Sequence, residues 1–432
     1  MQILKPTIIV LSALLFAQCK NVDKPVVSQT YVDSLLTNYG TPSEITANQK
    51  DLKFWKGRIR NNGFDIVNEP KYASNLVRQF NLKGDLKDVK KADSILITVE
   101  KNFNNKEAGI YLALVSNSIL QHQFNEANDY LQKAKSLGIR KSEENALTFD
   151  VDFELGNIKN ANANLEQMKL EGGFGYYFRK SKMEHYKGNL EESISYMRKA
   201  TESAMNDAAS RNISLSNGAD LYSHAGKLDN AYSDYKESIK LNSADLHSIM
   251  GMGWIALQHD NNDALAEKIF KFVQTKTKSP EPLYKLILVA QHKKDTVAEK
   301  KYAKQFESIV TDSIYGSMYT KYLIQLYTQI LNDPAKAEAL AKAEIAKRAT
   351  PQTYSWYAYA LLANNKIAAA TAIYKRYVSG KPLEALELYY MGKLMEANKK
   401  GYNASQFYKA ANENYYDLSP RIARDLESKL KE

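Results

Sequence analysis

The sequence has few residues that form cross-links or interrupt helices: 1 cysteine, 10 prolines and 19 glycines in 432 residues. A single cysteine excludes a disulfide within the chain and a thiolate metal site. Scarce glycine and proline, with abundant alanine, leucine, lysine and glutamate, disfavour a turn-rich all-β fold and favour helices. Beyond the N-terminal segment no run of 18 or more apolar residues occurs, so the sequence predicts no transmembrane helix there.

Charge of one sign is never concentrated in this sequence. Lysine and arginine number 59 against 49 aspartate and glutamate, a formal net charge of +10, yet there is no block of five or six like charges and no arginine-rich run. This spread indicates a solvated surface rather than a nucleic-acid footprint, and no nucleic-acid motif is present, so we expect no nucleic-acid partner. A hydrophobic content of 44% with 25% charged residues is ordinary for a folded chain.

The N-terminus is typical of an export signal. One positive charge at Lys5 precedes the apolar stretch 8–17, which is too short to span a bilayer, and Cys19 follows at once. The segment Phe16-Ala17-Gln18-Cys19 resembles the lipobox of bacterial lipoproteins, although Gln18 stands where a small residue is commonest. The resemblance implies a signal peptide at 1–18, lipidation of Cys19 and a cell-envelope location, expected at the outer membrane of a Gram-negative bacterium. The alternative is an ordinary secretory peptide with an incidental cysteine.

The next two segments differ in pattern. Residues 19–40 are polar and weakly patterned, which predicts a lipid anchor followed by a flexible tether. Residues 41–71 predict an N-terminal helical segment, because Thr41, Pro42 and Glu44 form a helix-start signal.

From about residue 72 a small residue recurs close to every 35 residues, within segments of 3.6-residue apolar period. These small residues are Ala92, Ala127, Ala161, Ser193, Ala231, Ala266, Ala298, Ala335, Ala370 and Ala404. Except after Ala335, a bulky residue follows four positions later, on the same helix face. A small residue permits close helix approach while its bulky neighbour fills the adjoining groove. The spacing therefore predicts a series of helical hairpins.

Residues typical of turns and helix caps recur at positions consistent with this repeat spacing, which we call the repeat frame. Gly156, Gly188, Gly226 and Asn365 stand where helices should end, and four Ser, Asp or Thr residues precede prolines 280, 334, 351 and 420 where helices should begin. The segments Tyr354-x-x-Tyr357-Ala358-x-x-Leu361 and Leu388-x-x-Met391-Gly392-x-x-Met395 resemble the tetratricopeptide repeat. The resemblance implies an all-α, right-handed superhelical solenoid of antiparallel helix pairs, with nine or ten repeats over 72–413 and a C-terminal capping helix at 414–432.

A search for catalytic and metal-binding patterns finds nothing specific. The six histidines are scattered among different repeats, and neither a His-Glu-x-x-His motif, a phosphate-binding loop nor a calcium loop occurs. We therefore predict no enzyme activity, no cofactor and no metal.

Resemblance to tetratricopeptide arrays also assigns the ligand surface to the first helix of each repeat, which lines a concave groove. On the frame above, that surface comprises Phe178, Lys182, His185, Asp220, Tyr359, Tyr389, Lys393 and Glu396.

The function predicted from these features is a lipid-anchored scaffold that binds a protein partner along its concave face. The alternative is a glycan-binding uptake lipoprotein similar to the starch-utilisation outer-membrane proteins, which carry large loops inserted around their repeats. Few connections in this sequence are long enough for such loops. An enzymatic function has no positive feature in its favour.

Overall fold

A computed structural model describes residues 24–60, 65–398 and 403–431. The signal peptide predicted at 1–18 and the lipidation site Cys19 lie outside the described residues. Within them the chain forms 23 α-helices and no strand, which confirms the predicted all-α fold. No helix of the described ranges combines the length and apolarity that crossing a bilayer requires.

The first twelve helices are Gln29–Thr37 (α1), Ser43–Arg58 (α2), Asn68–Lys83 (α3), Leu86–Asn102 (α4), Ala108–Leu120 (α5), Phe124–Ser136 (α6), Lys141–Leu155 (α7), Ile158–Met168 (α8), Gly173–Tyr186 (α9), Leu190–Ser203 (α10), Ala208–His224 (α11) and Leu228–Leu241 (α12). The remaining helices are Leu246–Gln258 (α13), Asp263–Gln274 (α14), Glu281–His292 (α15), Thr296–Val310 (α16), Thr320–Gln329 (α17), Pro334–Lys347 (α18), Pro351–Ala363 (α19), Ile367–Ile373 (α20), Ala385–Asn398 (α21), Ala404–Asn412 (α22) and Pro420–Lys431 (α23).

Consecutive helices from α3 to α22 pack pairwise, which gives ten hairpins in the part of the chain that the structure describes. The cap signals act as expected: the side chain of Asp333 accepts a hydrogen bond from the Lys336 amide, and Thr350 forms a capping box with Thr353. Between residues 68 and 398 the connections are short, the longest being the eleven residues 374–384, of which the first five form a π-helical turn. The glycan-uptake alternative, which calls for large inserted loops, therefore gains no support.

The small anchor residues mark the contact between the two helices of a hairpin. Seven of the ten are completely buried: Ala92, Ala127, Ala161, Ser193, Ala231, Ala266 and Ala370. Two of the remaining anchor residues do not occupy the buried position that the repeat spacing predicted. Ala298 is only partly buried and Ala335 is exposed, while the buried positions are Glu299 and Ala337, each followed four residues later by a buried alanine. At the buried positions an alanine follows four residues later instead of a bulky residue, and in the first hairpin the pair Ala298 and Tyr302 gave the expected pattern one residue out of place.

The predicted tether contains a docked helix, which corrects the expectation for residues 24–40. The backbone amides of Val26 and Val27 each donate a 2.9 Å hydrogen bond to the carboxylate of Asp260. Val27 and Val32 are buried against helices α12 and α14. Burial of apolar side chains by a segment that is polar on its other face fixes it to the hairpins.

Successive turns of the superhelix touch one another. The amide of Lys278 donates a 2.7 Å hydrogen bond to the carbonyl oxygen of Lys83, and Arg348 forms a 3.2 Å ion pair with Glu154. The residues of the second pair are 194 apart in sequence, nearly the same separation as in the first. Gly84 fits this contact because it has a φ of +68° and because a Cβ there would lie 2.7 Å from the amide nitrogen of Ser279.

The C-terminal helix α23, predicted as a cap, packs on α22 and also reaches back to α15 and to the start of α16. The guanidinium group of Arg421 binds the carboxylate of Glu299, and Arg424 donates a 2.9 Å hydrogen bond to the carbonyl oxygen of Gln291. Leu418 and Leu426 are completely buried. The segment 413–431 therefore crosses the surface formed by the first helices of the hairpins, which we call the inner face.

Candidate functional site

A cavity of about 420 Å³, which we call the central cavity, lies on the inner face and is within the size range of small-molecule sites. Its wall comes from the first helices α11, α13, α15 and α17, from the start of α21 and from the C-terminal segment. Helical spacing explains the wall: on α13, Met250 and Gly251 each lie three or four residues from both His247 and Trp254, so all four residues share one helix face. The lining includes six aromatic residues, Tyr235, Trp254, Tyr284, Phe306, Tyr319 and Tyr322, and eight acidic or basic ones, Asp220, His224, His247, Glu281, Lys285, Lys321, Glu384 and Asp417.

Asp220 and His247 form an ion pair across the cavity wall, with 2.8 Å between Oδ2 and Nε2. The hydroxyl of Tyr235 donates a 2.6 Å hydrogen bond to the other carboxylate oxygen. Burial alone would raise the pKa of Asp220, but the positive charge of His247 and these hydrogen bonds lower it. The negative charge of Asp220 raises the pKa of His247 to about 9. The imidazole is therefore a cation at neutral pH, and its charge is already compensated.

Lys321 lies between two carboxylates. Its ammonium nitrogen is 3.6 Å from Glu384 and 3.5 Å from Glu387, and Glu387 also accepts a 2.7 Å hydrogen bond from the indole of Trp356. Burial alone would lower the pKa of Lys321, but the two negative charges raise it. Burial raises the pKa of Glu387. Burial also acts to raise the pKa of Glu384, but Lys321, His185 and His224 together outweigh it and lower that pKa.

Lys285 is the lysine of the cavity without an ion pair among the described residues. Its ammonium group lies 4.4 Å from the centroid of the Trp254 ring, a cation–π arrangement. Burial lowers the pKa of Lys285. The Trp254 ring is held in place because its Nε1 donates a 2.8 Å hydrogen bond to the carbonyl oxygen of Tyr416.

A pair of histidines joins this cavity to a neighbouring one of about 260 Å³. Nε2 of His185 is 3.3 Å from Nδ1 of His224, whose Nε2 is 3.5 Å from the carboxylate of Asp417. Burial and the neighbouring His224 lower the pKa of His185. Burial raises the pKa of Asp417, and His224 opposes that shift only partly.

The predicted groove residues fall into three groups. Asp220 is the one that lines the central cavity. Lys182 and His185 line the neighbouring cavity, where Lys182 forms a 2.7 Å ion pair with Glu154, whereas Phe178 packs on Phe174 with ring centroids 5.5 Å apart.

The other four predicted residues, near the C-terminus, lie next to the chain's own last helix. The hydroxyl of Tyr389 donates a 2.6 Å hydrogen bond to Asp425, the ammonium of Lys393 lies 3.3 Å from the same carboxylate, and Glu396 pairs with Lys429 at 2.7 Å. Tyr359 stacks on Tyr390, with ring centroids 3.7 Å apart. Helix α23 therefore contacts the groove expected in the last repeats, although Tyr359, Lys393 and Glu396 still line a cavity of about 430 Å³ there.

Sequence reasoning missed the ionic and aromatic residues of the cavity: His247, Trp254, Lys285 and Lys321. A signal for part of this set existed, since polar and aromatic residues recur at helical spacing along α13 and α15. Within the described ranges, no three histidine, cysteine or acidic side chains are grouped so that they could hold a metal ion.

No protein-family model matches the chain, and no curated protein matches it by sequence. Among solved structures, a tetratricopeptide repeat protein from Parabacteroides merdae is 15% identical, with a TM-score of 0.34, over 68% of this chain and 99% of that chain. Human IFIT1, solved as a dimer with PPP-AAAA, is 11% identical, with a TM-score of 0.47, over 77% of each chain. Yeast Tom70 is 13% identical, with a TM-score of 0.34, over 93% of this chain and 96% of that chain. At these values the likeness carries no functional argument, and the fold assignment rests on the helical hairpins described above.

Proposed function

We propose that the protein is a non-enzymatic, lipid-anchored scaffold of the bacterial cell envelope, and that it binds a segment of a partner protein in the central cavity. The observation that carries the proposal is the composition of that cavity: charged groups come from four successive first helices, and three of these helices, α13, α15 and α17, also contribute an aromatic ring. Tryptophan and tyrosine are among the residues that supply most of the binding energy at protein interfaces. A rigid wall also lowers the entropy lost on binding.

The position of the C-terminal segment limits where the partner binds. Because α23 contacts Tyr389, Lys393 and Glu396, an extended ligand along the last repeats would have to displace it. Displacement would expose Leu418 and Leu426, each worth roughly 1.5–3 kcal/mol of burial. The central cavity requires no such rearrangement, which favours a short segment entering there.

The docked N-terminal segment fits an anchor at Cys19. Only seven positions separate Cys19 from Val26, which is fixed to Asp260, so the lipid would hold the body within about 25 Å of the bilayer. The anchor is tested by Cys19→Ser, which should move the protein from the membrane fraction to the released fraction. Retention of the variant in the membrane fraction would contradict lipid anchoring.

Binding in the cavity is tested by photocrosslinking in the native cell. A benzoylphenylalanine at Tyr322, whose ring lines the cavity, should form a discrete adduct with the partner. The matched control is the same residue at Val297 on α16, which is 79% exposed. The absence of an adduct at 322, or an identical adduct from 297, would contradict the proposed binding site.

A further inference from the structure

The carboxylates of the central cavity are unequally compensated. Asp220 is paired with His247 at 2.8 Å, and Glu384 with Lys321 at 3.6 Å. Glu281 and Asp417 have no lysine or arginine within 4.0 Å in the described part of the chain, and Asp417 contacts the imidazole of His224 at 3.5 Å. Two acidic groups thus face the cavity without a lysine or arginine in direct contact, although the charge of each acts on Lys285 at longer range.

The aromatic residues of the same cavity are placed to receive a cation. The Tyr284 and Tyr322 rings contact each other with centroids 4.4 Å apart, and the Trp254 ring is fixed by its bond to Tyr416. The ammonium of Lys285 already lies 4.4 Å from the Trp254 centroid without a carboxylate contact. An ammonium group is therefore accommodated on an aromatic face in this cavity, where desolvation strengthens cation–π attraction.

We propose that the central cavity binds a positively charged group, an ammonium or guanidinium, which ion-pairs with Asp417 and Glu281 and lies against the aromatic rings. This inference rests on the proposed function and specifies its ligand chemistry: a lysine or arginine side chain of the partner segment, or a small polyamine. Lys285 is the one lysine on the wall whose charge opposes such a ligand without being paired. Its like charge lowers the affinity.

The experiment uses isothermal titration calorimetry with three probes on the chain lacking the signal peptide. The probes are an acetylated and amidated Gly-Arg-Gly tripeptide, its Gly-Glu-Gly counterpart, and spermidine. We expect the arginine tripeptide or spermidine to bind with a stoichiometry of one and the glutamate tripeptide not to bind. Tighter binding of the tripeptide identifies a protein side chain as the source of the cation, and tighter binding of spermidine identifies a small amine.

Two variants with opposite expected effects make the result specific. Asp417→Asn keeps the shape of the side chain and removes its charge, so it should weaken binding of the cationic probe about tenfold. Lys285→Met keeps the volume and removes the competing charge, so it should strengthen binding several-fold. Circular dichroism of both variants verifies that the helical fold is intact.

The proposal is overturned if the glutamate tripeptide binds and Lys285→Met abolishes that binding, because the cavity would then be an anion site. It is equally overturned if no probe binds at millimolar concentration, or if Asp417→Asn leaves the affinity of the cationic probe unchanged. The photocrosslink from position 322 is independent of ligand charge. An adduct there combined with a failed titration would retain the scaffold function and reject only the cationic ligand.

Discussion

The indole nitrogen of Trp254 donates a 2.8 Å hydrogen bond to the carbonyl oxygen of Tyr416, 162 residues later in the chain. One turn along the same helix, the side-chain amide of Gln258 donates to the carbonyl oxygen of Leu418. Side chains of α13 thus hold the backbone of the C-terminal segment. Because Asp417 lies between the two residues whose carbonyls are bonded, these contacts also position its carboxylate in the wall of the central cavity.

The first prediction concerns this attachment. Trp254→Phe removes the hydrogen-bond donor and keeps an aromatic ring, so the partly buried Tyr416 carbonyl loses its partner. We expect the free energy of unfolding to fall by about 1–2 kcal/mol and hydrogen exchange to accelerate in residues 416–426. Trp55→Phe on α2, remote from this segment, is the control and should leave that exchange unchanged. Equal protection of the segment in wild type and in Trp254→Phe would show that the bond does not hold it.

Helix packing within a hairpin is tested at Gly253. A Cβ at this position would lie 2.7 Å from a ring carbon of Phe270, which is completely buried and cannot move aside. Gly253→Ala should therefore destabilise the protein by about 1–3 kcal/mol through overpacking. Gly109→Ala on α5 is the matched control, because nothing lies within 4 Å of its Cβ, and it should be neutral or stabilise by up to about 1 kcal/mol. Urea denaturation measures both, and equal effects would contradict the close approach.

Contact between superhelical turns is tested at Glu154 and Arg348, whose side chains are 21% and 13% exposed. In a double-mutant cycle with alanine at each position, we expect a coupling energy of about 1–2 kcal/mol in urea unfolding. The exposed pair Arg140 and Glu143 should show no measurable coupling in the same cycle, because solvent screens it. Additive effects at 154 and 348 would mean that the turns do not contact in solution.

The ion pair between His247 and Asp220 predicts a pH dependence. The folded pKa of His247, about 9, is above its ordinary value of 6.5, because the negative charge of Asp220 favours the protonated ring. A raised pKa contributes stability that is complete below pH 6.5 and is lost as the pH rises towards 9. Wild type should therefore lose more unfolding free energy than His247→Asn between these pH values. Parallel urea titrations at both pH values measure the difference, and identical losses would contradict the pair.

Much of the fold could be predicted because it depends on neighbours in sequence. The capping of α18 by Asp333, the capping box at Thr350 and the buried alanines of most hairpins are local features, each fixed within a few residues. The predicted repeat positions were wrong in two hairpins, where Glu299 and Ala337 are buried at the helix contact instead of Ala298 and Ala335. The docked helix α1 was missed because a partner 230 or so residues away, Asp260, has no local signature.

The sequence by itself determined that this chain is a series of helical hairpins and where most of them begin and end, because helix periods, caps and small-residue contacts are short-range. Only the tertiary structure decided that the superhelical turns touch, that the last helix returns to the inner face, and that His247, Lys285, Lys321 and Asp417 share one cavity. The reason is geometric: the rotation from each hairpin to the next accumulates over several repeats. Small differences in packing angle, which no short sequence pattern specifies, therefore decide which distant residues meet.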